Sequence, residues 1–346
     1  MSRRFTTRPQ AHSSLTAPGM LGRRGILAVL AAATLSLAAC SSGSTSPTSA
    51  AAKKLTTVTV AIPTAQGIVY VPYDLGIQDG IYKKYGINLK LEVITPTTAV
   101  DLIRSGSLDF IAATGSAQAS SIKGFRMPTY MVQSISQIFD LIGAPGITNM
   151  SQLKGKTIVG ESAVGAANVW EQTVLAHYGL PASSVSVLNI PGGDASRIAY
   201  VKAGKAAATA VTPIEALQLE QDGMHLLTTG NFPSAEQAAG GLATSVSFAD
   251  SHKALMKNMV AATVEATRDV RDNQKLAEAT LDRAPYSVPK SEVKAVWKLL
   301  ASNYVATGKP PQVAITNLLQ ALKSQYKLSS PPKESYLFDF QYLPGK

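Results

Sequence analysis

From Val58 onward, short apolar runs alternate with stripes of apolar residues at helical spacing, and that order predicts mostly parallel sheets with helices on both faces. Residues 58–62 read as a first strand, ended by Pro63, and 70–85 as a helix stopped by Gly86. A strand over 88–94, a helix over 97–105, a strand over 109–113 and a helix over 116–123 complete a first series. After the Pro145-Gly146 breaker a second series begins. Its strands fall at 156–160, 185–190, 207–212 and 225–228, and its helices at 166–178, 194–203 and 214–222. Each series spans about 100 residues, the usual size of one hydrophobic core, so two lobes are expected. From Ser251 the pattern becomes helical, over 253–271, 274–283, 290–304 and 311–323. The first of these carries Leu255, Met259, Ala262, Val264 and Ala266 on one stripe, which is expected to cover a lobe.

The N-terminal segment changes the picture, because part of it reads as a targeting signal and not as fold. Arg3, Arg4, Arg8, Arg23 and Arg24 precede an apolar run from Ile26 to Ala39 without an acidic residue. That run is shorter than the roughly 20 apolar residues a bilayer span takes. It ends Leu37-Ala38-Ala39-Cys40, which resembles the lipobox of bacterial lipoproteins, where the cysteine receives a diacylglycerol and becomes the mature N-terminus. Residues 1–39 are therefore expected to be a signal peptide, and Cys40 the lipidation site. Arg23-Arg24 ahead of Gly25-Ile26-Leu27 loosely resembles a twin-arginine signal, which leaves the export route open. Cys40 is the only cysteine in the chain, so no intrachain disulfide can form. The Ser/Thr-rich stretch that follows cannot bury enough apolar surface to fold, and 40–56 reads as a flexible tether.

Removing residues 1–39 lowers the formal charge from +10 to +5. The remaining basic residues form no run of five or more and no stripe with interleaved aromatics, which argues against nucleic acid as a partner.

Several strings carry a family resemblance. The segment from Tyr73-Asp74-Leu75-Gly76 through Tyr82-Lys83-Lys84-Tyr85-Gly86-Ile87 resembles the opening helix of substrate-binding proteins from nitrate/taurine/sulfonate-type ABC importers. Leu102-Ile103-Arg104-Ser105-Gly106-Ser107-Leu108-Asp109 is similar to the turn after the next helix, and Leu153-Lys154-Gly155-Lys156-Thr157-Ile158-Val159-Gly160 to the passage into the second lobe. Val201-Lys202-Ala203-Gly204-Lys205-Ala206-Ala207 repeats the helix, glycine, strand turn, with alanines where the family commonly places an aspartate. The likeness spans roughly 58–266 and extends to thiamine-pyrimidine-precursor binding proteins.

The resemblance implies a two-lobed periplasmic-binding-protein fold of the type II kind, an α/β architecture with a mostly parallel sheet in each lobe. It implies a first lobe over 57–143, a second over 144–240 and a return over 241–346, with crossings near Gly143 and Gly241. It also implies a monomer at the extracytoplasmic face of the cell membrane that closes on a small solute and delivers it to an ABC permease and its ATPase. Sulfonates, nitrate, aromatic carboxylates and pyrimidine precursors all suit the family, and the residual charge favours anions faintly.

In open α/β sheets ligands bind beyond the carboxyl ends of the strands, which selects the candidate residues. The first loop offers Gln66, Gly67 and Tyr70, and the turn after the third strand offers Thr114, Gly115 and Ser116. In the second lobe, Ser162, Gly165, Ala166 and Asn168 open a helix whose free N–H groups suit an anionic or carbonyl group, unless this is an ordinary turn capped by Ser162. Gly193 and Asp194, and Pro213 with Glu215, follow later strands. Glu161 and Glu215 are expected at helix starts facing water; facing the cleft, they would repel a simple anion and favour an amine or ring N–H. Trp170 is expected in the core and Arg197 on a solvated helix face.

Enzyme readings lack their residues. His177, His225 and His252 are far apart in sequence and without cysteine partners, so no zinc spacing or other metal motif is read. No G-x-S-x-G elbow and no phosphate loop is present, and no cofactor is expected. Two alternatives remain: a thiamine-pyrimidine-synthase-like enzyme, whose cysteine-rich motif is missing here, and a surface lipoprotein without transport function.

Overall fold

The computed structural model describes residues 54–136, 138–161, 166–190, 194–230, 232 and 236–345. Its strands form two five-stranded sheets. The first has the order β2-β1-β3-β10-β4, built from β1 (Thr56–Ile62), β2 (Ile87–Val93), β3 (Phe110–Ile111), β4 (Thr129–Ser134) and β10 (Ala239–Ala243). The second has the order β7-β6-β8-β5-β9, built from β5 (Asp140–Gly143), β6 (Thr157–Gly160), β7 (Ser186–Asn189), β8 (Ala208–Val211) and β9 (His225–Thr228).

Both sheets follow one plan. The central β1 pairs in parallel with β2 and β3, as β6 does with β7 and β8. The fourth strand is reversed in each: β10 runs antiparallel to β3 and β4, and β5 antiparallel to β8 and β9. Each reversed strand is the one that arrives from the other sheet, so the two lobes exchange a strand. The segments that pass between the sheets are 135–139 and 229–238, whereas Gly143 and Gly241 lie within β5 and β10.

The helices are α1 (Val71–Gln78), α2 (Ile81–Lys84), α3 (Pro96–Ser105), α4 (Thr114–Ile122), α5 (Ala166–His177), α6 (Asp194–Lys202) and α7 (Pro213–Gln221). They continue with α8 (Val246–Ser251), α9 (Lys253–Asp272), α10 (Gln274–Leu281), α11 (Val293–Asn303), α12 (Gln312–Gln325) and α13 (Glu334–Leu337). The single helix expected over 70–85 is two, because Gly80 takes φ 74 between α1 and α2, a conformation that costs glycine little. Three strands escaped the sequence pattern. β4 is buried at all six positions and so shows no alternation, β5 is four residues long, and β10 reads Ala-Gly-Gly-Leu-Ala, poor in β-formers. None of the helices among the described residues is long and apolar enough to cross a membrane.

Alternation along β1 splits the first lobe into two layers: Val58, Val60 and Ile62 enter a large core under α1 and α9, and Ala61 enters a smaller one with Ala99, Ile103 and Met127. Gly76 lets α1 approach α9 closely, since a Cβ there would stand 2.6 Å from the Tyr82 ring and 3.0 Å from Ala266 Cβ. The C-terminal residues Phe338, Phe340 and Tyr342 return to this large core, and Phe338 bridges Thr129 on β4. In the second lobe Ile158 packs with Trp170, Val174 and Leu175 on one face, and Val159 with Val201, Val211 and Leu219 on the other.

Candidate functional site

The carboxyl ends of β1, β2 and β3 in one lobe and of β6, β7 and β8 in the other open on one cavity of about 940 Å³. Residues Pro63 to Gln66 line it after β1, Thr95 to Thr97 after β2, and Ala112 to Ser116 after β3. From the second lobe come Glu161 after β6, Asp194 and Ala195 after β7, and Glu215 after β8. Phe139, at the end of the first crossing segment, and Gly240, in β10 just after the second, also line it.

Of the residues selected from the sequence, Gln66, Tyr70, Thr114, Gly115, Ser116, Asp194 and Glu215 line this cavity. Three do not. Gly67 precedes a short 3₁₀ turn whose Tyr70 ring lies 2.9 Å from where its Cβ would be. Pro213 is buried at the start of α7. Asn168 is buried on α5, and its Oδ1 accepts a hydrogen bond at 3.0 Å from Gln325 Nε2 on α12. Ala166 opens α5. Ser162, Gly165, Gly193 and Cys40 lie outside the described residues. Sequence reasoning missed the loop after β2 and, further along α3, Asp101 and Arg104, although the same strand-end rule points there.

Helix α4 starts at the cavity without a capping side chain; its Thr114 and Ser116 N–H groups donate to the Ala112 and Ala113 carbonyls, which leaves the Gly115 N–H as the first-turn donor open to solvent or ligand among the described residues. Glu215, by contrast, closes a capping box: its Oε2 accepts from the Thr212 N–H at 3.1 Å and from the Thr212 hydroxyl at 2.9 Å. Glu215 therefore caps α7 and faces the cavity at once. Glu161 faces the cavity too, so the expectation that both carboxylates simply face water is corrected.

Behind this wall lies a buried polar cluster. Arg197 was expected on a solvated face; it is 5% exposed and ion-pairs with Asp194 one turn earlier on α6. Burial lowers its basicity, while Glu161, Glu171 and Glu215 act in the opposite sense. Glu171 on α5 is 2% exposed, and burial raises its pKa to about 8, opposed by Arg197 and reinforced by Glu161. Gly160 makes room for it, since a Cβ at that position would stand 2.7 Å from the Glu171 Oε2. Neither Glu171 Oε2 nor Arg197 Nη1 has a hydrogen-bond partner among the described residues. Trp170 is in the core, as expected. Burial holds the Tyr70 phenol far above its ordinary range, and Glu161 across the cleft adds to the effect, so Tyr70 keeps its proton.

The histidines lie apart from this site. His177 stacks on Phe232 at 3.8 Å between ring centroids, and His252 on Phe248 at 4.3 Å. Among the described residues no group of three or more His, Cys, Asp or Glu side chains is arranged to hold a metal ion.

Comparison with known proteins places this geometry. The sequence profile of the NMT1/THI5-like family matches residues 69–277. No curated protein matches the chain in sequence. Among solved structures, a protein of Bordetella bronchiseptica RB50 superposes with a TM-score of 0.67 at 19% identity, over 83% of this chain and 95% of its own. The alkanesulfonate-binding protein SsuA of Xanthomonas axonopodis pv. citri, solved with MOPS bound, gives 0.59 at 17% identity, over 82% and 96%. The periplasmic nitrate-binding protein NrtA of Synechocystis PCC 6803 gives 0.59 at 15% identity, over 85% and 83%. These likenesses establish the two-lobed periplasmic-binding-protein fold.

Proposed function

The chain belongs to the NMT1/THI5-like family, and from that premise we propose that it is the extracytoplasmic solute-binding component of an ABC importer. It captures a small solute between its lobes and hands it, unaltered, to a permease driven by an ATPase. One observation carries the reading: a cavity of about 940 Å³, in the range of small-molecule sites, is lined from both lobes at the ends of their parallel strands. The neighbours described as alkanesulfonate-binding and nitrate-binding proteins share that arrangement of lobes.

A solute that touches both walls favours the closed arrangement by its preference for that state and by no more. Gln66, Tyr70 and the start of α4 contact it from the first lobe, and Asp194, Glu215 and Glu161 from the second. Cys40 carries the lipid that holds the protein at the membrane, with 40–56 as tether. The working form is a monomer, because each copy contains both walls of the cavity.

Thermal melting of the purified protein against a panel of sulfonates, nitrate, carboxylates, pyrimidines and amines tests this reading, since a ligand of the folded form raises the melting temperature. At least one class is expected to do so; turnover of a panel compound, or no shift with any, overturns the proposal. Cys40→Ala is expected to release the protein from membranes with solute binding intact, and retention on membranes refutes the anchor.

A further inference from the structure

We propose that the solute carries a cationic nitrogen, a protonated amine or amidinium, seated between Glu161 and Glu215. This rests on the solute-binding reading above and names the ligand class of the same cavity. Six ionisable side chains of fixed charge line it: Asp101, Arg104 and Lys123 from the first lobe, and Glu161, Asp194 and Glu215 from the second. The first three are exposed, so water screens them, and Arg104 also pairs with Asp101 at 3.0 Å. The other three are half-buried, where charges act with less screening. Asp194 is matched by Arg197.

Two carboxylates remain unbalanced. Glu161 makes no hydrogen bond or close ion pair among the described residues and Glu215 uses only Oε2 in its cap; both feel the buried Arg197, whose close pair is Asp194, so one positive charge stands against three carboxylates on this wall. A solute whose only charge is negative would lie against both. A cation is attracted to both, and the Tyr70 and Phe139 rings lining the same cavity also favour positive charge where a ring face is presented. On the opposite wall the start of α4 offers the Gly115 N–H together with the Thr114 and Ser116 side chains, suited to a carbonyl, hydroxyl or carboxylate elsewhere on the same molecule. The ligand is thus asymmetric, with its cationic end toward the second lobe.

The basic excess of the chain does not contradict this, because it lies elsewhere. Residues 251–346 hold 14 Lys and Arg against 8 Asp and Glu, whereas 140–228 hold 5 against 7. The net charge therefore describes the C-terminal helices, and the second wall of the cavity is acidic.

Calorimetric titration of the purified protein with matched probe pairs tests the assignment: 1-aminobutane against butane-1-sulfonate, and benzamidine against benzoate. A cationic probe is expected to bind at least tenfold more tightly than its anionic partner. Glu161→Gln is expected to weaken that probe about tenfold, and Glu215→Gln, which keeps an acceptor for the Thr212 cap, by a similar factor. Unchanged melting of the unliganded variants shows that they fold. Tighter binding of the anionic probes overturns the charge assignment and leaves the solute-binding reading standing. Equal cation binding by wild type and Glu161→Gln overturns the seat. If no probe of either sign binds, and the broader melting panel also gives no shift, both readings fall together.

Discussion

The two lobes share a strand plan and differ in what they bury. The first encloses aromatic and aliphatic side chains, with Tyr73, Tyr82, Phe110 and Tyr130 almost fully covered, and draws α9 to α12 and the C-terminal residues onto the same core. The second has two smaller cores, leaves Leu188 on β7 and Leu226 on β9 exposed, and buries Asp140, Glu171 and Arg197. Burying ionisable groups without full pairing opposes stability, so their concentration in one lobe sets that lobe apart. In the proposed function the first lobe supplies rigidity and hydrogen-bond donors, and the second the charge that selects.

The largest effect expected from breaking this contrast is at Gly241, in the strand the first lobe takes back. It has φ 135, and a Cβ there would stand 2.1 Å from the Met131 carbonyl oxygen, a backbone atom that cannot swing away. Its own carbonyl accepts a 2.5 Å hydrogen bond from the buried Tyr73 hydroxyl. Gly241→Ala is expected to cost about 3–5 kcal/mol through overpacking and an unfavourable backbone conformation. Chemical denaturation measures it, and a loss below about 1 kcal/mol contradicts the geometry.

Next is the pH dependence that the second lobe contributes. Glu171 holds its proton to a pKa of about 8 in the folded chain and has an ordinary value of 4.5 when unfolded. Between those values the folded state binds the extra proton, so stability from this group is fully present below about pH 4.5 and is lost as pH rises toward 8. Asp140, raised to about 7 from 3.8 by burial and by Glu220, acts in the same direction over a lower window. Glu171→Gln cannot ionise and is expected to gain on the wild type by a few kcal/mol between pH 5 and pH 8. Parallel stability curves for the two proteins across that range would refute the buried, neutral carboxyl.

Gly76→Ala in the first lobe comes third. Its methyl must displace the buried Tyr82 ring, which touches Thr263 on α9 through a 3.3 Å hydroxyl contact, or push α1 off Ala266. The expected loss is about 1–3 kcal/mol in the melting of the unliganded protein, with solute affinity unchanged.

Legibility of the sequence followed the same division. Strands with alternating or continuous apolar runs, such as β1 and β6, were read directly, and the two series of strand, turn and helix gave two sheets. What resisted was whatever depends on partners distant in sequence: β10 is a strand because β3 and β4 flank it, not because Ala-Gly-Gly-Leu-Ala favours one. The strand-end rule brought Gln66, Tyr70, Thr114 and Glu215 to the cavity, because loop position follows from topology. Side-chain direction does not follow from it. Arg197 looks solvated on a helix of mixed polarity, and only the tertiary structure shows Asp194 pairing it inside the lobe.

Asn168 shows the same limit and gives the smallest effect. One residue past Ala167, which lines the cavity, it points from α5 toward α12 and bonds Gln325. This hydrogen bond joins the second lobe to a C-terminal helix through two residues that do not line the cavity. Asn168→Ala removes one neutral hydrogen bond and is expected to cost about 0.5–1.5 kcal/mol in stability. Solute affinity should stay within twofold of the wild type if the bond holds equally in the empty and occupied arrangements. A tighter-binding variant would show instead that the α5 to α12 contact opposes closure, making the second lobe the moving partner and this amide its restraint.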